Sequence, residues 1–361
     1  MRRLLVTCFT GVLATTGAVV WATQAGANDP TVVVVNAGES IQAAIDGARQ
    51  HTTIIVRSGT YAENLSITTD RITLVGQGAT LVPPATPAAG TVCDFGEAAA
   101  TNGICAAGGL DFSDPNAPPK VPDRLTDVKI TGFTVQGFPG SGIIFLGARN
   151  PTIAQNTTTG NGAYGIASFF STGGQIVGNT ASGSAEAGVY VGDSPNAKIL
   201  IAGNTTNDNQ LFGIFLRDAM HGTVVGNESS GNCVGLIVLG TASGDFQITG
   251  NDLHENNGFC PPEGDEGDIP LSGIGLALAS GDRNVVTGNS ITGNVPSAEV
   301  PFSGGVAVVD ASDGVDAPSD NVVTGNTVDA NGIDIFTDGT GQGNVLTGNA
   351  CTTSVPPELC A

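Results

Sequence analysis

Eight asparagines recur along this chain at a nearly constant spacing, each preceded by Gly or Gln, and this recurrence restricts the possible folds most. The gaps between successive members are 23, 25, 23, 24, 38, 37 and 23 residues. Five gaps equal one unit, and two equal a unit plus an insertion. A fixed period of roughly 20 to 50 residues is the signature of stacked repeats. The asparagines are Asn156, Asn179, Asn204, Asn227, Asn251, Asn289, Asn326 and Asn349.

Each unit divides into short apolar runs. Residues 197–220 contain two or three such runs separated by Asn, Asp and Gly, and no run is long enough for a helix. Runs of this kind between turn residues are typical of strands. The pattern predicts about ten coils of a parallel β-helix, with no long helix between residues 127 and 350. A glycine series keeps the same step and begins an apolar run in each unit: Gly142, Gly165, Gly188, Gly213, Gly235, Gly273, Gly305 and Gly332.

The repeated asparagines have a structural role in such a stack. Asn tolerates the left-handed backbone of a tight corner. Its side-chain amide can also bond the amides one coil above and one coil below, so that a column satisfies its own donors and acceptors. We therefore predict a buried asparagine ladder. The alternative, a row of ligand-binding amides, stays open at this point.

The N-terminal part of the repeat region carries a family resemblance. Residues 37–48, 53–56 and 59–64 resemble the capping helix and first coil of the right-handed parallel β-helix (pectin lyase-like) superfamily, which includes pectate lyases, polygalacturonases and alginate epimerases. Ile41, Ala44 and Ile45 lie on one face of the expected helix, which would cover the open end of the apolar bore. The resemblance implies an all-β, single-stranded right-handed parallel β-helix over residues 28–361, with insertions at 83–126 and 256–272.

The first residues have the features of an export signal. Arg2 and Arg3 precede an apolar stretch from residue 4 to 22, and small residues follow at 25–27. This order predicts a bacterial-type signal peptide over 1–27 and a secreted, extracellular protein. An uncleaved membrane anchor is the alternative. No later segment is apolar enough to span a membrane.

The charge balance limits the possible partners. The full chain carries a net charge of −21, and removal of Arg2 and Arg3 leaves ten basic against 33 acidic residues, a net −23. A surface this acidic repels nucleic acid and anionic membranes. It also repels a polyuronate unless calcium bridges the two. Solubility of a secreted protein is the simpler account of this charge.

Six cysteines remain after Cys8 is removed with the signal, an even number for an oxidising compartment. Two pairs share an insertion or the C-terminal tail, and the third joins neighbouring coils, which lie about 4.8 Å apart. The chain has no Cys-x-x-Cys motif of the kind that binds zinc. The predicted disulfides are Cys93–Cys105, Cys233–Cys260 and Cys351–Cys360.

Strand alternation assigns the residues that follow each glycine to two sides of the coil. The first and third positions should point inward, namely Val189, Val191, Ile214, Leu216, Leu236, Val238, Ile274 and Leu276. The second and fourth should point outward, namely Ile144, Ala167, Phe169, Tyr190, Phe215, Arg217, Ile237, Leu239, Gly275, Ala307 and Asp334. The outward set is unusually apolar. Either the insertions cover it or it is a binding surface.

One group on the outward side carries charge. Asp193 and Asp218 occupy the same position, five residues after their glycines, on adjacent coils, and Arg217 and Tyr190 lie beside them. Two carboxylates next to an arginine can shift each other's pKa and transfer protons, so these four residues are the candidate catalytic set. The alternative is a surface salt bridge with aspartates that cap a turn.

Residues around this group suit carbohydrate. Tyr190, Phe169 and Phe215 would offer flat faces to sugar rings, and His221 begins the next coil. The segment 190–193, with Arg217 one coil on, is similar to the Tyr/Asp/Arg part of mannuronan C5-epimerases, although Pro195 stands where those sites place a histidine. The polygalacturonase motifs are missing. The resemblance implies a polysaccharide partner and a lyase, epimerase or hydrolase activity. The alternative is a non-catalytic carbohydrate-binding or structural surface protein.

An acidic stretch in the second insertion is a candidate metal site. Glu263, Asp265, Glu266 and Asp268 place four carboxylates within six residues. Hard oxygen ligands suit Ca²⁺, so calcium is the candidate cofactor. The spacing matches no known calcium loop, and a solvated acidic loop is the alternative.

Overall fold

The computed structural model of the chain describes residues 31–87, 93, 101–114, 119–262, 269–311 and 316–360. The expected signal peptide over 1–27 lies outside these residues. The acidic residues Glu263, Asp265, Glu266 and Asp268 lie outside them as well.

The described residues form a right-handed parallel β-helix, in which 29 strands join into one sheet that winds around three faces. Each coil passes from face 3 to face 1 and then to face 2. Face 1 consists of Thr31–Val35, the first parts of Thr52–Ala62 and Thr73–Val82, Lys129–Thr131, Thr152–Ala154, Gln175–Val177, Ile199–Ala202, the second part of Phe212–Val225, Gly244–Thr249, Val285–Thr287 and Val322–Thr324.

Face 2 follows one corner later. It consists of the second parts of Thr52–Ala62 and Thr73–Val82, and of Thr134–Gln136, Thr157–Thr159, Thr180–Ser182, Thr205–Asn207, Glu228–Ser230, Asp252–His254, Ser290–Thr292 and Thr327–Asp329. Face 3 consists of Leu65–Ile67, Ile104–Ala107, Ile143–Leu146, Ile166–Phe169, Ala187–Ser194, the first part of Phe212–Val225, Val234–Leu239, Ile274–Ala279, Gly304–Val309, Ile335–Thr337 and Ser354–Val355.

Three small pairings lie outside the stack. The range 83–126 contributes the face 3 strand Ile104–Ala107 and an antiparallel pair, Gly109–Asp111 with Lys120–Asp123. Leu125–Thr126 pairs with Ala148–Arg149 in parallel, and Phe259–Cys260 pairs antiparallel with Leu271–Ser272 in the second insertion.

Two short helices mark the ends of the described chain, namely the α-helix Ile41–Asp46 and the 3₁₀ helix Pro357–Cys360. Within the part of the chain that the structure describes, neither is long enough to cross a membrane.

The predicted capping helix is present. Ser40 is its N-cap, and the Ser40 hydroxyl accepts a hydrogen bond from the Ala43 N–H. Ile41 and Ile45 are buried in the main core, and Ala44 packs against that core. The helix therefore covers the first coil with the face that the sequence predicts, because an open apolar bore would otherwise meet water.

The asparagine ladder is also confirmed. Each of the first seven asparagines donates both its backbone N–H and its side-chain amide to the Oδ1 of the next. For example, Asn204 donates to Asn227 Oδ1 at 2.9 Å from both nitrogens. The ladder runs along the corner between faces 1 and 2, where it satisfies backbone and side-chain groups that no strand pairs.

Two further ladders, neither of them predicted from the sequence, occupy the other corners. One joins faces 2 and 3, where Asn209 donates to Asn232, Asn232 to Asn256, Asn256 to Asn294 and Asn294 to Asn331. Its members lie five residues after a first-ladder asparagine, so the same repeat could have revealed them. A shorter ladder joins faces 3 and 1 through Asn284, Asn321 and Asn344.

The inward residues form the main core, with one correction. Leu276 is buried inside as predicted, but Ile274 packs on the outside of face 3 with Val234. The reason is the register, which pairs Val234 with Ile274 and Leu236 with Leu276. Gly275, not Gly273, therefore holds the corner position of Gly235, and Gly275 is not part of the outward set. Ile274 precedes the corner glycine Gly275, so its side chain still packs on the outer side of the coil.

Asp334 is a second correction. The register pairs Val306 with Ile335, so Asp334 takes the corner position of Gly305, and Phe336 occupies the outward column instead. Asp334 is buried and accepts hydrogen bonds from Asn331, Thr352 and Thr353. Its carboxylate ends the ladder between faces 2 and 3 and attaches the C-terminal tail to the last coil.

We expect this attachment to be sensitive to acid. Burial acts to raise the pKa of Asp334, but hydrogen bonds from Thr352, Asn331 and Thr353 outweigh it and hold the pKa below the usual range. Because the pKa of Asp334 is lower in the folded than in the unfolded protein, the ionised carboxylate stabilises the attachment of the tail at pH values above the ordinary aspartate pKa. This stability is lost as the pH falls through the pKa of Asp334 in the folded protein. Protection of the amides of residues 345–355 against hydrogen exchange, relative to their intrinsic rates at each pH, should fall in acid. In the Asp334→Asn variant the same amides should be less protected at neutral pH, and acid should not lower their protection further. An acid-dependent loss of protection equal to that of the unmodified protein would contradict the assignment.

All three predicted disulfides are present. The Cα atoms are 5.9 Å apart in Cys93–Cys105, 5.9 Å apart in Cys233–Cys260 and 5.3 Å apart in Cys351–Cys360. The second bridge joins the beginning of a face 3 strand to the hairpin of the second insertion. It therefore holds that hairpin against the outer side of face 3.

Candidate functional site

The predicted charged group assembles at one corner, where face 3 turns into face 1. Gly192 pairs with Arg217 and Ser194 with Ala219, which places Asp193 directly beside Asp218 on the next coil. Both aspartates have a left-handed backbone, with φ of 49° and 50°. Asp adopts that conformation more readily than most residues, so the corner itself accounts for part of this residue choice. We call Asp193, Arg217 and Asp218 the carboxylate corner.

The charges of Arg217 and Asp218 act on the carboxyl group of Asp193 at this corner. Arg217 Nε lies 3.6 Å from Asp218 Oδ2, and both side chains are well exposed. Asp193 is exposed, and its pKa is raised, first by partial loss of hydration and then by the charge of Asp218, while Arg217 partly opposes the rise. The arrangement therefore favours the protonated form of Asp193 relative to a free aspartate.

This electrostatic arrangement can be tested directly. Asp218→Asn should lower the pKa of Asp193, because it removes the neighbouring negative charge, but the pKa should stay above the ordinary value because the loss of hydration remains. Arg217→Ala should raise it further. Carboxyl ¹³C titration by NMR would measure both shifts. A change of the Asp193 pKa in the same direction in the two variants would contradict the assignment.

Aromatic rings cover face 3 beside this corner. We call Tyr164, Phe169, Tyr190, Phe212 and Phe215 the aromatic cluster. Tyr190 is at its centre, with ring centroids 4.4 Å from Tyr164, 4.8 Å from Phe169 and 5.1 Å from Phe215, and Phe212 lies 4.7 Å from Phe215. The cluster spans adjacent coils of one face.

The rings presented to solvent differ from those predicted. Tyr190 and Phe215 are only 4% and 6% exposed, so they support the cluster from below. Phe169, as predicted, and Tyr164 and Phe212, which were missed, are half-buried and form its surface. Tyr164 and Phe212 immediately precede the repeat glycines Gly165 and Gly213, and an aromatic residue at that position is the signal that could have identified them.

The tyrosine hydroxyls are poor proton acceptors. Burial, together with the nearby charges of Glu186 for Tyr164 and of Asp193 for Tyr190, raises the pKa of both phenols far above the usual range. Both therefore stay protonated at ordinary pH. Tyr164 bonds to Glu186, which the sequence analysis also missed. Tyr190 lies buried beneath the other rings and does not act as a base.

His221 is not part of this group. It lies at the following corner, where face 1 begins, and its Nδ1 is 3.6 Å from Asp245 Oδ2. Asp245 also accepts two hydrogen bonds from Arg283, at 3.0 Å each. The structure thus places His221 in an exposed position beside Asp245, where face 1 begins. It brings together the other six predicted catalytic and substrate-binding residues on face 3 and at its corner with face 1.

A groove of about 450 Å³ continues along the outer side of face 3. Phe212 and Leu239 line its end nearest the aromatic cluster, and Ile237, Ala277 and Ala279 line its floor. The hairpin of the second insertion contributes Cys260 and Leu271. The hairpin of the second insertion therefore borders this section of the apolar face and leaves a groove beside it, while a binding role for the face stays a prediction. Arg217 is outside the lining, next to Leu239 in register.

Comparisons with known proteins support the same architecture. A family model described as "Periplasmic copper-binding protein (NosD)" matches residues 121–268. The periplasmic alginate epimerase AlgG is 14% identical, over 88% of this chain and 83% of that chain, with a TM-score of 0.52. The A-module of the Azotobacter vinelandii mannuronan C-5 epimerase AlgE6 is 20% identical, over 88% and 94%, with a TM-score of 0.51.

A viral protein is similar to the same extent. ORF18 of Geobacillus virus E2 is 12% identical over 88% of this chain and 60% of that chain, with a TM-score of 0.54. No curated protein matches the sequence significantly. Identities this low show a common fold and leave the activity to be argued from the site.

The residues of the described chain do not fit a copper centre. Among them, no group of three or more His, Cys, Asp or Glu side chains is placed to hold a metal ion. The six described cysteines are bonded in disulfides, and His221 and His254 face different carboxylates, Asp245 and Glu228. Copper prefers imidazole and sulfur ligands that converge, and these do not.

Proposed function

We propose that this right-handed parallel β-helix protein is secreted and binds an extracellular polysaccharide along the outer side of face 3. The observation that carries the proposal is the aromatic cluster lying directly beside the carboxylate corner. Half-buried rings of Tyr164, Phe169 and Phe212 offer apolar faces on which sugar rings stack. Arg217 and Asp218 offer charged hydrogen-bond donors and acceptors for hydroxyl groups at the edge of those rings.

The charge of the protein favours a neutral glycan. With a net charge of −21 over the full chain, the protein repels a polyuronate unless a divalent cation lies between them. The two alginate epimerases named above, which share the fold, support a polysaccharide as the class of ligand. The acidic residues Glu263, Asp265, Glu266 and Asp268 remain our proposed calcium-binding segment, which would be needed for a uronate ligand and not for a neutral one.

Catalysis is the second candidate, and the raised pKa of Asp193 favours it. A carboxyl group with a raised pKa beside a second carboxylate is suited to general acid–base work in a lyase, epimerase or hydrolase. In that case Asp193 would transfer the proton beside Asp218, and Arg217 would bind a negatively charged or polar group of the sugar. Tyr190 would stay protonated beside Asp193.

A polysaccharide panel separates these functions. Protein beginning at residue 28 would be tested against neutral and uronate polymers, each with calcium and with chelator, for both binding and product release. We expect binding of a neutral polymer that is insensitive to chelator. Release of reducing ends or unsaturated products, or inversion at C5 of a uronate polymer seen by ¹H NMR, lost in Asp193→Asn, would establish the catalytic function. Absence of binding to every polymer in both conditions would refute the proposal.

A further inference from the structure

The groove on face 3 is a built cavity separate from the carboxylate corner. The side chains on its floor are small, because the outward-facing residues of face 3 change from large to small along the stack. Ala277 lies between Ile237 and Ala307 in register, and Ala279 lies between Leu239 and Val309. The missing side-chain volume at the two alanines opens the groove, and the second insertion forms one wall.

That wall is held in place by a covalent bond. Cys260, which lines the groove, is joined to Cys233 at the beginning of a face 3 strand. Leu271, on the partner strand of the hairpin, lines the same side. At the far end the groove is lined by Phe302. Concave sites with mostly apolar walls and few polar groups are the usual form of a small-molecule site.

The two ends of the groove differ in charge, and carboxylates lie at one of them. Asp310 is the ionisable residue among those that line it, and it is half-buried at the end of the strand Gly304–Val309. Asp338 adds a second carboxylate there, since its Oδ2 accepts the backbone N–H of Asp310 at 2.7 Å. Arg283 follows three residues after Ser280, whose hydroxyl contacts Asp310 Oδ1 at 3.4 Å, but Arg283 is paired with Asp245 and Asp282. The cation beside the other end is Arg217, which Asp218 already pairs. In register it lies three coils from Val309, or roughly 14 Å.

We propose that this groove binds an amphiphilic cation, with an alkyl or aryl body on Ala277 and Ala279 and an ammonium group beside Asp310. Burial of the apolar body provides most of the affinity, at roughly 25 cal/mol per Å². The carboxylate provides the selection by charge, because it attracts an ammonium group and repels a carboxylate head. This inference concerns a ligand and residues different from those of the polysaccharide site.

Calorimetric titration with three ligands of equal chain length would test it. Decyltrimethylammonium and decanoate, each below its micelle concentration, and decanol, below its solubility limit, would be added to protein beginning at residue 28. We expect the cation to bind about fivefold more tightly than the alcohol, the size of a partly exposed ion pair. Decanoate should bind most weakly. Asp310→Asn should remove the preference of cation over alcohol, whereas Asp208→Asn, at a corner between faces 2 and 3, should keep it.

A second variant tests the location. Ala279→Leu places a branched side chain in a column where Leu239 and Val309 already stand, so it fills the groove, and binding of both cation and alcohol should fall at least fivefold. Equal binding of cation and alcohol by the unmodified protein, or tighter binding of decanoate, would overturn the proposal. Retention of the charge preference in Asp310→Asn would overturn it as well.

Discussion

Replacing Asn227 by Ala is expected to lower the free energy of unfolding by about 4 kcal/mol, since several buried polar groups lose their partners at about 1–3 kcal/mol each. Asn227 Oδ1 accepts from both nitrogens of Asn204, and its amide donates to Asn251 Oδ1 and to the Ile201 carbonyl. An alanine supplies none of these groups, and the groups left without partners are buried, because Asn227 is only 1% exposed.

Urea unfolding followed by circular dichroism would measure this loss, and hydrogen exchange would locate it in the coils next to Asn227. Asn196 is the matched control, because it is an exposed asparagine on the preceding coil. Asn196→Ala should change stability by less than about 0.5 kcal/mol. A loss below about 1 kcal/mol for Asn227→Ala would mean that the ladder stabilises the stack far less than its hydrogen bonds suggest.

Replacing Arg217 by Ala is expected to weaken polysaccharide binding at least about tenfold, the effect of losing one charge-assisted hydrogen bond. The fold should not suffer, because the Arg217–Asp218 pair is exposed, and such pairs contribute at most about 1 kcal/mol. If the protein is an enzyme, turnover should fall with binding. Affinity electrophoresis in gels containing the bound polymer, together with thermal unfolding, would measure both properties.

Arg283 provides the control for this experiment. It is similarly exposed and is paired with Asp245 through two hydrogen bonds, but it lies at the corner where face 1 begins. Arg283→Ala removes the same charge from the whole protein and leaves face 3 intact, so binding should persist. Equal binding by the Arg217→Ala variant and the unmodified protein would show that the ligand site is elsewhere.

The repeat in the sequence was sufficient for the architecture. A strict period places equivalent residues above one another, so Asn204, Asn227 and Asn251 had to meet in one column, as did Asp193 and Asp218. The same register placed Cys233 near the insertion that holds Cys260. Local alternation then assigned Tyr190 and Phe215 to the outside. These predictions succeeded because stacking converts a spacing in sequence directly into a contact between neighbouring coils.

The predictions that failed lie where the period is interrupted. Gly273 follows the second insertion, and the chain uses Gly275 for the corner instead, which turns Ile274 outward. Gly332 is followed by Asp334, which occupies the corner position and bonds to the C-terminal tail. His221 was assigned to the site from its closeness in sequence, although a corner separates it from face 3. Spacing alone does not reveal where the chain turns after an interruption.

Sequence by itself determined the coil stack, the asparagine ladder, the Cys233–Cys260 disulfide and the meeting of Asp193 with Asp218, because each depends on register. Closeness in sequence, within one insertion and within the C-terminal tail, predicted the other two disulfides. Only the tertiary structure decided which part of face 3 is open. That outcome depends on how the non-periodic insertion crosses the face and on which rings cover Tyr190 and Phe215. The small size of Ala277 and Ala279 makes a groove only because the hairpin that contains Cys260 lies beside them. Such contacts between segments distant in sequence do not follow the repeat, so its spacing cannot predict them.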